Sequence, residues 1–403
     1  VRRSRLLRFL HPAALGLVVG AIGAGCASAP PTASSTARRS PPSARAELVA
    51  REAPPAPAVA SALDEHEREA RERAYRDALA RLRAERIESA DRAAPPTPAV
   101  LSARAKGWGW MIDRLAADGI PRERAARAFA DPRMPAFDGL TFGLYPREPA
   151  SMYRHFLRPD GIARAQRCAA SHAVSLAEAE RVHGVDAAVI GAILYVESAC
   201  GRNTGRSLVL HRLARLAMAN EPRNVARNLA RNTPPSGAID PAVAERVRER
   251  ARYLEGIFYP QVVATFEVAD RKGVDPLDLR GSGAGAIGFT QFLPLNVIAF
   301  GTDGNGDGRI SLYDVDDAAA STARFLKSYG WTRQMTRARK REMIWHYNRS
   351  DSYIDAVLGL ADRIRSERTI ELAVAAARAP RGTALAETAL GDEPLEVVPA
   401  TAR

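Results

Sequence analysis

A mainly α-helical protein is the fold class this sequence predicts, and three observations carry it. Apolar residues recur at three- and four-residue intervals from about residue 105 to residue 368. Candidate helices follow one another across short turns, as where SLAEAERVHGV meets DAAVIGAILYVES at Gly184. Strand-like alternation of apolar and polar residues is nearly absent.

The 403-residue chain could hold two or three ordinary domains, but its terminal segments are not of a kind to join a core. Residues 1–25 run from a basic stretch (Arg2, Arg3, Arg5, Arg8) through an apolar stretch to small residues before Cys26, the pattern of a secretory signal peptide. The apolar part, broken by Pro12, is shorter than the roughly 20 residues of a membrane-spanning helix, so cleavage is expected and not retention. Ala24, Gly25 and Cys26 resemble the processing box of bacterial lipoproteins, in which the cysteine thiol takes a diacylglycerol. Gly23 stands where that box usually carries Leu, and an ordinary signal peptide is the alternative. Ala27 after the cysteine implies, by the same resemblance, the periplasmic face of the outer membrane. Residues 26–62, rich in Ala, Pro, Ser and Thr, cannot bury enough apolar surface to fold and read as a disordered tether. Residues 63–104 open with a stretch charged on all sides, a solvated helix or disordered segment that APPTPAV breaks.

The globular pattern starts at about Ala105, with Trp108, Trp110, Met111 and Leu115 at helical spacing, then Pro-bounded turns and the aromatic segment FDGLTFGLYPREPASMYRHFLRP. The two helices flanking Gly184 come next, followed by SLVLHRLARLAM with an aliphatic stripe. Residues 221–250 are polar, Arg-rich and interrupted by Pro234 and Pro235, which predicts an inserted surface excursion. The apolar helix YLEGIFYPQVVATFEVADRKGV resumes the core, with a break or kink expected at Pro260. Residues 369–403 are Ala-rich without an aromatic residue and read as a disordered tail.

Glu197 is the most informative residue. It is a lone carboxylate on an apolar helix face, with Ile190, Ile193 and Leu194 seven, four and three residues upstream. Burial there disfavours the charged form and moves the pKa toward neutrality, as a general acid acting near pH 7 requires. A helix-end Glu turned outward or paired with Arg202 is the alternative.

Three further stretches carry candidate chemistry. In GSGAGAIGFTQFLP, Gly281, Gly283, Gly285 and Gly288 let the backbone turn through positive φ or approach a ligand closely, and no Lys-Ser/Thr pair follows to make a nucleotide loop. Thr302 to Asp317 places oxygens at Asp303, Asn305 and Asp307, a glycine at Gly308 and the Arg309 carbonyl at the following position, the first half of an EF-hand calcium loop. The twelfth position is Asp314 and not Glu, so closure falls to that Asp or to a longer loop ending at Asp317; a solvated turn is the alternative. Tyr347 and Asn348 pair an aromatic ring with an amide, which suits stacking on a sugar and bonding an acetamido group; helix capping is the other reading.

Cys168 and Cys200 are a candidate disulfide in an exported chain, with two separately buried thiols as the alternative. No histidine stands at metal-ligand spacing: His172 and His183 have no cysteine or carboxylate partner. The net charge of +12 owes about half to arginines of the first 51 residues, and the remainder shows no run of basic and aromatic residues, which argues against nucleic-acid binding and leaves an anionic cell-wall polymer as the partner that a basic surface suits.

Taken in order, HGVDAAVIGAILYVESACGRNTG, GSGAGAIGFTQFLPLNV, GTDGNGDGRISLYDVDDAAASTARFLKSYGW and YNRSDSYIDAVLGLADRI resemble the membrane-bound lytic murein transglycosylase B family over about Trp108 to Arg365. The resemblance implies a lysozyme-like helical core with an N-terminal helical subdomain and an EF-hand-like loop, and a catalytic domain over 105–368. It implies a lyase that cleaves the β-1,4 bond between N-acetylmuramic acid and N-acetylglucosamine with 1,6-anhydro-muramoyl ends, in cell-wall turnover or remodelling. Glu197 would be its acid and base, Ser282, Gln291, Tyr347 and Asn348 would bind substrate, and Asp303, Asn305, Asp307, Arg309 and Asp317 would hold a structural calcium ion, with no organic cofactor. Implied partners are peptidoglycan glycan strands, cell-wall synthesis proteins, and the membrane through the lipid on Cys26. Leu295 and Asn296 replace a common Ser-Ser, and Phe325 stands where many members have Tyr. A hydrolytic muramidase on the same scaffold and a non-catalytic peptidoglycan-binding lipoprotein are the rival readings.

Overall fold

The computed structural model describes residues 95–145, 149 and 151–365. The expected signal peptide, Cys26, the 26–62 tether, most of the 63–104 segment and the 369–403 tail lie outside them. The described chain is mainly helical. In order it forms α1 (Pro98–Ala105), α2 (Gly109–Ala117), α3 (Arg122–Ala130), α4 (Pro159–Ser171), α5 (Ala173–His183), α6 (Ala187–Ser198), α7 (Val209–Ala217), α8 (Pro222–Arg231), α9 (Pro241–Lys272), α10 (Pro294–Phe300), α11 (Val315–Ser328), α12 (Arg337–Tyr347) and α13 (Asp351–Arg365). Two strands among the described residues, β1 (Ser207–Leu208) and β2 (Arg280–Gly281), form one short antiparallel pair in which Ser207 faces Gly281.

The globular unit starts before the expected residue 105. Thr97 caps α1 by accepting from the Val100 amide, and Pro98 occupies the first turn, where its missing N–H is no loss. Val100 and Ala103 are buried as α1 packs on α3, so these residues belong to the folded unit and not to the charged segment preceding it. Trp108 is fully buried between Phe129 and Phe137, and its indole N–H donates to the Pro135 carbonyl.

The central element is α6, which is buried on every side from Ala187 to Tyr195. A helix apolar all round must sit inside a core, and α6 is enclosed by α13, α4, α5 and α11. Its start is doubly held: Asp186 accepts from the Ala188 amide, and the buried Glu180 carboxylate accepts from the Ala187 amide. The turn before it uses Gly184 at φ 74°.

The 221–250 segment is built into the fold more than its composition suggested. Asn224 and Asn228, one turn apart on α8, are both buried. Asn224 accepts from the Leu140 amide at 2.8 Å, and Asn228 donates to the Leu140 carbonyl at 2.8 Å, so polar side chains stitch α8 to the 138–142 strand of chain. Residues 241–250 are the first turns of α9, with Ala244 and Val247 buried. That helix runs unbroken through Pro260, contrary to the expected break. An interior proline costs about 3 kcal/mol, and burial of Ile257, Phe258, Tyr259 and Val262 around it outweighs that cost.

Candidate active site

The last turn of α6 presents Glu197 and then reverses. Ala199, Cys200 and Gly201 take φ values of 50°, 57° and 75°, three consecutive left-handed residues of which two are not glycine. Each such non-glycine residue costs on the order of 1–2 kcal/mol. The reversal is closed by the Ala199 and Cys200 amides donating to the Tyr195 and Leu194 carbonyls. Ser198, buried, holds it from within: its hydroxyl lies 2.9 Å from the Phe289 carbonyl and 3.1 Å from that of Leu194, and it accepts from the Gly201 amide. Gly201 has no room for a side chain, because a Cβ there would fall inside the Phe289 ring. Cys200 is disulfide-bonded to Cys168 on α4, with Cα atoms 6.1 Å apart, so of the two sequence readings the bridge is the one the structure has.

Glu197 is half-buried. The Tyr353 hydroxyl, carried on the first turn of α13, donates to its Oε1 at 2.7 Å. Burial pushes the Glu197 pKa up to about 7, with the Tyr353 hydrogen bond pulling the other way. Arg202, the alternative partner, instead donates to the Ala199 carbonyl. Tyr353 is almost wholly enclosed, and burial together with the adjacent carboxyl keeps its phenol far above the usual range, so it remains a neutral donor.

Tyr347 and Asn348 join this group. The Tyr347 ring lies nearly parallel to Tyr353, with centroids 6.5 Å apart, and its hydroxyl donates to the Thr290 carbonyl at 2.7 Å. Tyr153 meets the Tyr353 ring edge-on at 5.5 Å, and Asn348 donates through Nδ2 to the Tyr153 hydroxyl at 3.4 Å. The Asn348 Oδ1 is buried and makes no hydrogen bond within the described residues, leaving an acceptor open beside the tyrosines. Phe325 is buried 5.0 Å from the Tyr347 ring, inside an aromatic cluster with Phe292, Phe300 and Tyr329.

Ser282 and Gln291 have contacts that build the glycine-rich loop. Ser282 accepts from the Ala284 and Ala286 amides, and Gln291, itself at φ 49°, donates to the Gly288 carbonyl at 2.8 Å and reaches the Thr204 carbonyl at 3.4 Å. The loop meets the Glu197 turn through Phe289, and the backbones touch where Gly205 lies against Gly281. Tyr353, Ser198 and Phe289 had not been singled out from the sequence. A signal for Tyr353 was present: it is the lone hydroxyl on the apolar stripe of α13, and a buried tyrosine hydroxyl needs a partner.

The Thr302–Asp317 loop folds on its own amides. Asp303 accepts from Gly306 and Gly308, Asn305 from Asp307, and Asp307 from Arg309. Asp314 caps α11 by accepting from Asp316 and Asp317, which takes it out of the loop. Asp317, fully enclosed, reaches back to accept from Gly304 at 2.7 Å and Ser311 at 2.6 Å. Among the described residues no group of three or more His, Cys, Asp or Glu side chains is gathered as a metal site. The donors along the loop are nevertheless all oxygen, three carboxylates with an amide and a carbonyl, a set that fits a hard divalent cation.

Among known proteins, the family described as "Transglycosylase SLT domain" matches residues 105–343. Membrane-bound lytic murein transglycosylase B of Escherichia coli (strain K12) is 30% identical over 180 residues, 45% of this chain and 41% of that protein. The chain thus matches about two fifths of the length of that curated relative. Among solved structures, the Escherichia coli lytic transglycosylase Slt35 in complex with calcium is similar at 21% identity and a TM-score of 0.46, covering 69% of this chain and 93% of that one. The catenated lytic transglycosylase SltB1 from Pseudomonas aeruginosa is similar at 23% identity and a TM-score of 0.49, covering 67% and 98%.

Proposed function

The chain belongs to the transglycosylase SLT domain family, and on that premise we propose that it is a peptidoglycan lytic transglycosylase whose acid and base are one residue, Glu197. The observation that carries this is a carboxyl whose pKa is raised to about 7 by burial while it still reaches solvent and is held by a neutral Tyr353 hydroxyl. A carboxyl in that state is half protonated near neutrality and can give a proton and take one back. Glu197 protonates the oxygen of the β-1,4 bond between N-acetylmuramic acid and N-acetylglucosamine, and the C1–O bond breaks. The resulting carboxylate then takes the proton of the muramoyl 6-hydroxyl as O6 closes onto C1, so no water is consumed and a 1,6-anhydro end is left. The 2-acetamido group assists at C1, which removes the need for an enzymic nucleophile and fits the single carboxyl at this place.

Tyr347 and Asn348 bind the sugar beside the acid. The enclosed Asn348 Oδ1, which makes no hydrogen bond within the described residues, accepts from an acetamido N–H when the side chain turns toward the sugar. Ser282 and Gln291 shape the glycine-rich wall, and their remaining polar valences face substrate. Asp303, Asn305, Asp307, the Arg309 carbonyl and Asp317 hold calcium, which when bound supplies charge neutralisation within the loop and rigidity next to the glycine-rich segment, since the Phe289 amide donates to the Leu312 carbonyl. The protein is exported, lies in the periplasm, and is anchored through Cys26, with glycan strands as its partner.

Mass spectrometry of soluble muropeptides after digestion of purified sacculi tests the reading. Products one water lighter than muramidase products, without a reducible end and absent with Glu197→Gln, are the expected result. Reducing products would move the assignment to a hydrolase. Binding without products would move it to a non-catalytic wall protein.

A further inference from the structure

The turn that follows Glu197 is unusual in what it must hold. A helix that ends in the left-handed region normally places glycine there, yet Ala199 and Cys200 occupy that region before Gly201 does. L-residues with a Cβ leave it readily unless their surroundings prevent it. Inside the turn the restraints are hydrogen bonds: the Ala199 and Cys200 amides to Tyr195 and Leu194, the Gly201 and Asn203 amides to the Ser198 hydroxyl and carbonyl, the Arg202 side chain to the Ala199 carbonyl, and the Ser198 hydroxyl to Phe289. The covalent restraint is the disulfide from Cys200 to Cys168, which is buried in α4, two helices back along the chain. The side chain that this turn aims, Glu197, lies three residues before Cys200, and its hydrogen-bond partner among the described residues, Tyr353, comes from a different helix.

We infer that the Cys168–Cys200 disulfide is a positioning element for Glu197: by tying the middle residue of a strained left-handed turn to α4, it holds the carboxyl at the end of α6 against the Tyr353 hydroxyl and away from bulk water. The identification of Glu197 as the acid is the reading given above, but the positioning claim concerns the carboxyl itself and stands or falls separately. The groups facing that carboxyl are Tyr353 on α13 and Tyr347 on α12, with Tyr153 behind Tyr353. On α4, Arg164 is turned to the Tyr195 hydroxyl of α6, and Arg202 of the turn is bonded to the Ala199 carbonyl. Among the described residues, burial and the Tyr353 hydrogen bond are the two influences on the acidity of Glu197, burial the larger. Loosening the turn acts on both influences: loss of the Tyr353 hydrogen bond raises the pKa and hydration lowers it, and because burial is the larger of the two the net change is a fall. Water reaches the carboxyl, its charged form is better solvated, and its pKa falls toward the ordinary carboxylate range.

The test is a titration of the Glu197 carboxyl by 13C NMR in the full-length protein, the resonance identified by its loss in Glu197→Gln. It is run on the oxidised protein, on the Cys168→Ser/Cys200→Ser variant, and on wild type reduced under native conditions. In the last case dithiothreitol is oxidised to its cyclic disulfide and the two sulfurs of the bridge become thiols, counted apart from Cys26 by alkylation and peptide mass spectrometry. The reduced sample keeps the measurement available if the double variant fails to fold. The expected result is a fall of about one pH unit or more in the Glu197 midpoint once the bond is gone, with kcat on sacculi lowered about tenfold, KM little changed, and the alkaline limb of the rate profile moved to lower pH by the same amount. A purely structural bond would lower the melting temperature and leave the midpoint and the limb where they were, and that outcome overturns the inference. If the midpoint moves while oxidised wild type yields no anhydro products, it is the catalytic reading that fails and not this one.

Discussion

Replacing Glu197 with Gln removes a charge from a place that disfavours it, and the stability gained can be worked from the structure. The carboxyl has a pKa of about 7 in the folded protein against an ordinary value of 4.5. Below about pH 4.5 it is protonated in both folded and unfolded chains and makes no difference between them. From pH 4.5 to about 7 the folded protein keeps a proton that the unfolded chain has released, so stability falls by about 1.4 kcal/mol for each pH unit. Above pH 7 the full penalty applies, on the order of 3 kcal/mol. Glutamine has nearly the same shape, accepts the Tyr353 hydrogen bond and carries no charge, so the variant lacks this slope. Urea or thermal unfolding of both proteins at pH 4 and pH 8 is the assay. At pH 4 the two should unfold together, and at pH 8 the variant should be more stable by up to about 3 kcal/mol, roughly 6–12 °C in melting temperature for a domain of this size, while losing all cleavage. Parallel behaviour of the two proteins between pH 4 and pH 8 would refute the claim that burial holds Glu197 near neutrality.

Three other outcomes are expected. Tyr353→Phe removes the one hydrogen bond that favours ionised Glu197, so the alkaline limb of the pH–rate profile should rise by about one unit; a limb that stays or falls would show that the phenol does not govern the carboxyl. Calcium added after EDTA treatment should raise the melting temperature in wild type, and Asp317→Asn should abolish that response and destabilise the protein by about 1–3 kcal/mol, because the buried Asp317 carboxylate accepts the Gly304 and Ser311 amides; an unchanged melting temperature would make the loop only a turn. Asn228→Ala should cost about 1–3 kcal/mol in urea unfolding by leaving the Leu140 carbonyl and Phe142 amide without their partner, and no loss would return the α8 segment to the status of a surface excursion.

Much of this was legible without coordinates, and the reasons are local. A continuous apolar run from Ala187 to Tyr195 at helical length calls for a core helix, Gly184 suits the end of the helix before it, and the carboxylate that follows the run stands on the same apolar face. The alternation of Asp303, Asn305 and Asp307 around glycines likewise sets a tight oxygen-lined loop by short-range geometry. What composition misjudged was polar burial: Asn224 and Asn228 read as solvated, yet they are satisfied inside by the backbone of a segment more than eighty positions earlier, a pairing that no local pattern contains. At Pro260 the helix is not broken, since helix propensity is a local term and the packing that overrides it is not. The sequence by itself determined that an apolar helix would be buried and that a lone carboxylate, Glu197, would stand at its end. Only the tertiary structure decided what that carboxyl touches, because Tyr353, Phe289 and Cys168 come from three separate segments and meet Glu197 and its turn only when α13, the glycine-rich loop and α4 close around α6.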